Sequence, residues 1–242
     1  MEWHQAVDLI RPHVVRIYTP QGSGTGFLVS RSDDGSVYGI ATAAHVVSQA
    51  HYWEQPIRLQ PAIGGEVVLL RSGDRAIVID ESRDTAVILL NNPALGLPAQ
   101  PSPLMDEGYF LKVGNPIGWL GFPAIQGANL CFFTGTVSAY GEASHAYFVD
   151  GVAINGVSGG PAFTADDGGP RIIGLVSAYV PNRATGETLP GLGIVRDVTH
   201  FHELIGQLKS VDEAKAKEAP PTEPPQAATQ EPEVKSAAKY AT

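Results

Sequence analysis

Cysteine is almost absent: Cys131 is the only one in 242 residues. No internal disulfide can form, which fits a reducing compartment or a fold that needs no staples. Cys131 lies in the apolar run LCFFTG and reads as a small strand hydrophobe, not a reactive thiol. Basic residues are few. Sixteen Lys and Arg stand against 25 Asp and Glu, a net charge of −9 with no basic cluster, which argues against a nucleic-acid surface. No apolar run reaches transmembrane length, so no membrane insertion is expected. The first residues, MEWHQAVDLIRPHVVRI, carry Glu2, His4, Asp8 and Arg11 and hold no uninterrupted apolar stretch of the kind a secretory signal needs. The expected setting is cytoplasmic, with a secreted or periplasmic one only if a leader has been removed. His4, His13, His51, His145, His200 and His202 show no zinc-type spacing, and His200 and His202, two apart on a helix, face different sides. No metal and no cofactor are expected. No internal repeat is evident, and nothing in the sequence sets an oligomeric state.

What the chain does have is strands. VVRIYT, GTGFLVS, VYGIATAA, PIRLQP, EVVLLRS, RAIVID, TAVILL, IGWLGF, LCFFTGTVSAY, AYFVDG, GPAFTA, RIIGLVSAYV and GLGIVRDV are rich in β-branched or aromatic residues and are separated by Gly, Pro, Asn and Asp. Many short strands at short spacing suggest a sandwich or barrel. Helical periodicity is confined to the ends. EWHQAVDLIRPH is a weak candidate, and DVTHFHELIGQLKS is a better one, with Val198, Phe201, Leu204, Ile205 and Leu208 near i, i+3, i+4 spacing. From about residue 211 the chain turns to Pro, Glu, Ala, Gln and Lys. It cannot bury enough apolar surface there to offset the entropy of ordering, so 211–242 is expected to be a disordered tail, with a short helix conceivable around VDEAKAKEA.

The stretch NGVSGGPAF, residues 155–163, sets Ser158 among glycines. It fits an ordinary turn, and it also fits the G-x-S-x-G of α/β-hydrolases. The hydrolase order would need an acid and a histidine downstream, where Asp166, Asp167, Asp197, His200 and His202 stand, but the alternating helices of that fold are missing. An upstream order works better. GIATAAHVV puts His45 after a strand of small residues, and ESRDTAVILL puts Asp84 just before an apolar strand. Each alone is an ordinary strand-end or turn residue. Together with Ser158 they give the set that acyl transfer needs. A serine hydroxyl is a weak nucleophile and needs a base, imidazole can take and return the proton near neutrality, and a carboxylate fixes the tautomer and stabilises the imidazolium. Backbone N–H groups of Gly156 and Ser158 would face the developing oxyanion, with Gly156 allowing close approach of the substrate.

These segments resemble, in order, those of trypsin-fold (chymotrypsin-like) serine proteases, and most nearly bacterial HtrA/Deg-like peptidases. GSGTGFLVS (22–30) is similar to the first glycine-rich strand, TAAHV (42–46) to the histidine motif and RDTAVILL (83–90) to the aspartate motif. GWLGFP (118–123), TGTVSAY (134–140), IIGLVSAYV (172–180) and GLGIVRDV (191–198) resemble strands of the second barrel. The resemblance implies an all-β fold of two six-stranded β-barrels with a C-terminal helix, forming one domain over 1–210. Barrel one would run about 14–98, barrel two about 108–198 and the helix about 197–209, with the Pro-rich NNPALGLPAQPSPL (91–104) as connector. It implies a serine endopeptidase acting on polypeptides through His45, Asp84 and Ser158, with Gly156 and Ser158 as the oxyanion hole. It places Val152 toward the base of the pocket for the residue before the scissile bond, Tyr179 and Gly193 on its walls, and Ser177 beside the catalytic aspartate and against the substrate backbone. No charge lines that pocket, so small or medium apolar residues are expected there.

The chain also departs from the pattern. Val157 stands where proteases activated by cleavage carry an aspartate that pairs with the new N-terminus, so that activation is not expected, and what orders the oxyanion loop is open. No PDZ segment is expected in 211–242, where the disordered tail stands instead. Two other readings remain at this level: a catalytically silent or latent trypsin-fold binding module, and a scaffold whose tail recruits partners.

Overall fold

The structure is a computed structural model that describes residues 1–125, 129–181 and 188–218, with backbone alone at 179–181, 188–190, 211, 212 and 214–218. Among the described residues thirteen strands form, one for each segment named above. β1 (Val14–Thr19), β2 (Gly22–Arg31), β3 (Tyr38–Thr42), β4 (Ile57–Pro61), β5 (Val68–Leu70), β6 (Arg75–Asp80) and β7 (Thr85–Leu90) build an antiparallel sheet in the order β5-β4-β1-β2-β3-β7-β6. β8 (Pro116–Gly121), β9 (Cys131–Gly141), β10 (Ala146–Asp150), β11 (Pro161–Phe163), β12 (Ile172–Pro181) and β13 (Thr188–Asp197) close into a barrel in the order β10-β13-β12-β11-β8-β9. Every pairing between these strands is antiparallel, which excludes the α/β-hydrolase reading.

The second unit is the expected six-stranded barrel. The first has seven strands instead of six, and its ladder is open between β5 and β6. The Arg75 side chain spans that seam. Its guanidinium donates to the carbonyl of Leu70 at 2.7 Å, of Gln55 at 2.7 Å and of Ala50 at 3.3 Å. A charged fork from β6 thus reaches the end of β5 and the stretch 50–55 ahead of β4.

Period-two alternation decides which core each side chain joins. In β2, Leu28 points into the curled first sheet with Val15, Ile17, Ile40, Leu59 and Ile88. Its neighbours Phe27 and Val29 point the other way, into a larger core shared with the barrel residues Trp119, Tyr147, Leu175 and Val195. Phe27 meets Phe201 of the terminal helix edge to face, with ring centroids 6.1 Å apart. The two units are therefore joined by a continuous apolar core.

The first helix, α1 (Trp3–Ile10), buries Ala6 and Ile10 and sets Trp3 against Phe132 and Phe163 of the barrel. A second helix, α2 (Ala44–Tyr52), was not expected from the sequence; it buries Ala44, Val47 and Ala50 on one stripe. The terminal helix, α3 (Thr199–Glu218), starts as expected, with the Thr199 N–H donating to Asp197 Oδ1 at 3.0 Å, but runs on past 209. Residues 211–218, expected within the disordered tail, are helical, as their run of Ala, Glu and Lys favours. The rest of that tail, 219–242, lies outside the described residues.

Candidate active site

His45 is the second residue of α2, so its backbone N–H is one of the donors a helix start leaves without an internal partner. Asp84 Oδ1 accepts it at 3.0 Å. The His45 ring Nδ1 lies 3.0 Å from both Asp84 oxygens. A carboxylate only accepts, so Nδ1 carries the proton and Nε2 is left with its lone pair free. One carboxylate thus caps the helix and sets the tautomer, and its charge suits the positive end of α2.

Asp84 itself sits at φ +51 in the turn between β6 and β7, a left-handed conformation that a non-glycine side chain adopts only when its surroundings hold it. Asp80 does part of that holding by accepting from the Ser82 N–H at 2.9 Å, the Ser82 hydroxyl at 2.6 Å and the Arg83 N–H at 3.1 Å. Arg83 in turn donates to Glu203 on α3 at 2.7 Å. From the barrel, the Ser177 hydroxyl donates to Asp84 Oδ2 at 2.5 Å. Burial is the largest single influence on the Asp84 carboxyl and pushes its pKa up. The hydrogen bonds from His45 and Ser177, the His45 charge and the His45 amide together outweigh it, so the carboxyl is held below its ordinary value.

Ser158 lies in the turn that enters β11. Gly156 and Gly159 on either side have φ of +90 and +84. A Cβ at Gly156 would strike the Phe122 carbonyl, and one at Gly159 the Thr25 carbonyl, so both positions require glycine twice over. Ser158 and His45 line one cleft of about 320 Å³ with Gly156, Asn155, Gln49 and Ser23. Among the described residues the Ser158 hydroxyl makes no hydrogen bond to His45, an arrangement that commonly tightens only when substrate binds. Asn155 O accepts from the Ala124 N–H at 2.7 Å and the Val157 N–H donates to Ile154 O at 3.1 Å, while the N–H groups of Gly156 and Ser158 have no partner among the described residues.

The structure thus gathers His45, Asp84, Ser177 and the Gly156–Ser158 turn, four separate segments of the chain. Val152, expected at the base of the specificity pocket, is half exposed, and its carbonyl accepts from the Trp119 indole N–H at 3.3 Å. Val149 and Ala153 both face Gly193: a Cβ on Gly193 would stand 3.1 Å from Val149 Cγ2 and 3.4 Å from the Ala153 Cβ. Gly193 pairs with Tyr179 across β12 and β13; the Tyr179 side chain lies outside the described residues. His200 lies 3.9 Å from Asp80 and 3.7 Å from Glu203, and His202 Nε2 lies 2.8 Å from the Met105 carbonyl oxygen. Among the described residues no cluster of three or more His, Cys, Asp or Glu could hold a metal ion, and no helix is long and apolar enough to cross a membrane.

Sequence reasoning missed Thr25 and Arg83. Thr25 hid inside a glycine-rich strand motif, and Arg83 read as a surface charge. Neither carries a local signal for a partner far away in the chain.

A closed antiparallel barrel and a curled antiparallel sheet, with a His–Asp pair and a serine facing one cleft between them, define a peptidase of the trypsin fold. The chain belongs to the trypsin-like peptidase domain family, whose model matches residues 24–175, more than half its length. It is a serine protease of that family. Its fold is similar to that of the serine endoprotease from Yersinia pestis, at 22% identity and a TM-score of 0.62, covering 86% of this chain and 66% of that one. The inactive form of Rv3671c from M. tuberculosis H37Rv that carries a serine-to-alanine substitution is similar at 21% identity and a TM-score of 0.56, covering 87% of this chain and 91% of that one. The Rv3671c protease in an inactive form gives 22% identity and 0.56, covering 85% and 92%. No curated protein is significantly similar in sequence.

Proposed function

We propose that the chain is a serine endopeptidase that cleaves polypeptides through an acyl-enzyme, with Ser158 as nucleophile, His45 as base and acid, and Asp84 as its orienting carboxylate. The observation that carries this reading is the His45 Nδ1 contact of 3.0 Å to both oxygens of Asp84, in a cleft that His45 shares with Ser158. Ser158 Oγ attacks the scissile carbonyl carbon as its proton passes to His45 Nε2. The negative charge moves to the carbonyl oxygen, which the N–H groups of Gly156 and Ser158 stabilise. The tetrahedral adduct collapses, the C–N bond breaks, and His45 returns the proton to the leaving amine. Water then attacks the acyl ester with His45 again as base, which releases the acid and restores the serine. The residue before the scissile bond is small or medium and apolar, since Ala153, Gly193 and Val152 bring no charge to that side.

A fluorophosphonate probe tests this directly. One adduct by intact mass on the wild type and none on Ser158→Ala is the expected result. No adduct on well-folded wild type would overturn it in favour of a latent or silent binding module.

A further inference from the structure

An oxyanion hole works only if its two amides stay aimed at the cleft when no substrate is present, and Val157, apolar and buried, offers no charge to anchor the loop. The anchor comes instead from the first sheet. Thr25 on β2 is fully buried, and its hydroxyl donates to the Gly156 carbonyl at 2.8 Å. The same hydroxyl oxygen accepts the Phe122 N–H at 3.0 Å. That second bond fixes the direction of the first, because an amide can only donate and the hydroxyl has one proton to give. The Thr25 backbone N–H donates to the Ser158 carbonyl at 2.8 Å, and the Thr25 carbonyl accepts from the buried Thr42 hydroxyl at 2.7 Å. One residue therefore holds the carbonyls of both Gly156 and Ser158, whose N–H groups the proposed function assigns to the oxyanion. The third restraint is the Ala124 N–H on the Asn155 carbonyl. In a planar trans peptide it leaves the Gly156 N–H pointing the opposite way.

We propose that Thr25 is the positioning residue of the oxyanion loop, and that it keeps the loop in its acyl-transfer shape with no activating cleavage and no bound activator. This rests on the serine endopeptidase reading above. Thr25 touches no substrate. It acts through the Gly156 and Ser158 peptide groups. It belongs to the sheet that carries His45 and Asp84, so the unit supplying base and acid also sets the geometry of the oxyanion donors.

The test uses the full chain with Thr25→Val, Thr25→Cys and Thr25→Ser. Val keeps the shape and loses the hydroxyl, Cys keeps only a weak donor, and Ser keeps the hydroxyl. Three readouts are compared: kcat and KM on a peptide ester, affinity for a peptide boronate that forms a tetrahedral adduct, and affinity for the corresponding product acid. Because removing an oxyanion donor outright costs about 10²–10³ in kcat, loosening both through Thr25→Val should lower kcat and boronate affinity by about 10- to 100-fold. KM and product affinity should stay within about threefold, the wild type should show no lag, Thr25→Ser should match it, and Thr25→Cys should fall between. If Val does not fold, Cys against Ser carries the same comparison. Thr25 loses the role if Ser is as impaired as Val or Cys, if kcat per folded molecule is unchanged in Val, or if the wild type needs an activator. A wild type that no fluorophosphonate labels, with or without substrate-like peptides, would instead sink the endopeptidase reading itself.

Discussion

The first sheet and the second barrel divide the chemistry unequally. The sheet is open between β5 and β6, carries both titratable groups of the site, and presents each at an irregular point: His45 at a helix start, Asp84 at φ +51. The barrel is closed and carries the proposed nucleophile, Ser158, in a turn where only glycine fits at 156 and 159. Yet neither unit holds its own contribution alone. Ser177 from the barrel donates to Asp84 of the sheet, and Thr25 from the sheet donates to the turn beside Ser158 of the barrel. The supports cross the interface in both directions. Shifting one unit against the other would disturb both halves of the machinery together.

The largest effects should come from the groups themselves and should fall on both units. Ser158→Ala in the barrel should lower kcat on a peptide ester by about 10⁶-fold, and Asp84→Asn in the sheet by about 10⁴-fold, the asparagine favouring the wrong imidazole tautomer. Both variants should keep the thermal midpoint within a few degrees. A loss of only tenfold for Asp84→Asn would mean that the sheet contributes orientation alone, and the division drawn above would fail.

The shared core gives the next largest effect. Phe201 is fully buried against Phe27. Phe201→Ala should cost about 3–5 kcal/mol in urea unfolding, the range for removing a large buried aromatic. Because the core is common, both units should lose stability in one transition. Two separated transitions, with barrel amides still protected from hydrogen exchange while sheet amides open, would show that the units are independent. In the wild type, β5 and β6 amides should exchange before those of any barrel strand, since among the described strands they border an open ladder.

How much of this the sequence disclosed follows from the range of each interaction. All thirteen strands were legible, because β-branched runs between Gly, Pro, Asn and Asp are local signals. That His45, Asp84 and Ser158 come together was legible because their chain order matches the set that acyl transfer needs. The α2 helix was not. The strand segment VYGIATAA runs into its first residue, and the stripe of Ala44, Val47 and Ala50 uses residues too small to stand out. The missing seventh pairing and the Arg75 bridge were hidden because closure depends on three-dimensional curl. Val152 was placed by the resemblance, because a pocket wall is built from segments far apart in the chain and leaves no local signal.

A smaller effect should come from Ser177→Ala. It removes one of the hydrogen bonds that hold the Asp84 carboxyl below its ordinary value. Losing a bond to a charged acceptor is worth about 1.5–3 kcal/mol at most in a buried site, so kcat should fall roughly 10-fold. The pH dependence gives the sign. A carboxyl whose folded pKa lies below its unfolded one contributes stability above the unfolded value, near 3.9 for Asp, and loses it as pH falls through the folded value. Ser177→Ala raises the folded value, so acid unfolding followed by circular dichroism should begin at higher pH than in the wild type. An unchanged acid transition would mean that His45 alone sets the Asp84 carboxyl, and that the barrel's support of the sheet is only steric.

The smallest effect should be at the Arg83–Glu203 pair, where α3 offers an acceptor to the turn that carries Asp84, alongside the His200 contact with Asp80 at 3.9 Å. The Arg83 side chain is 28% exposed and that of Glu203 45%, so water and salt screen the pair. Such pairs contribute about 0–1 kcal/mol. Asp80 already holds the turn through three hydrogen bonds that do not involve α3. Glu203→Gln should therefore change kcat less than about twofold at low salt, and the difference should vanish near 1 M salt, where the screening length is about 3 Å. A tenfold loss that persists in high salt would mean that Asp80 does not suffice. The φ +51 conformation at Asp84 would then depend on a helix outside the sheet, and the acid of the site would answer to the C-terminal segment as much as to the barrel.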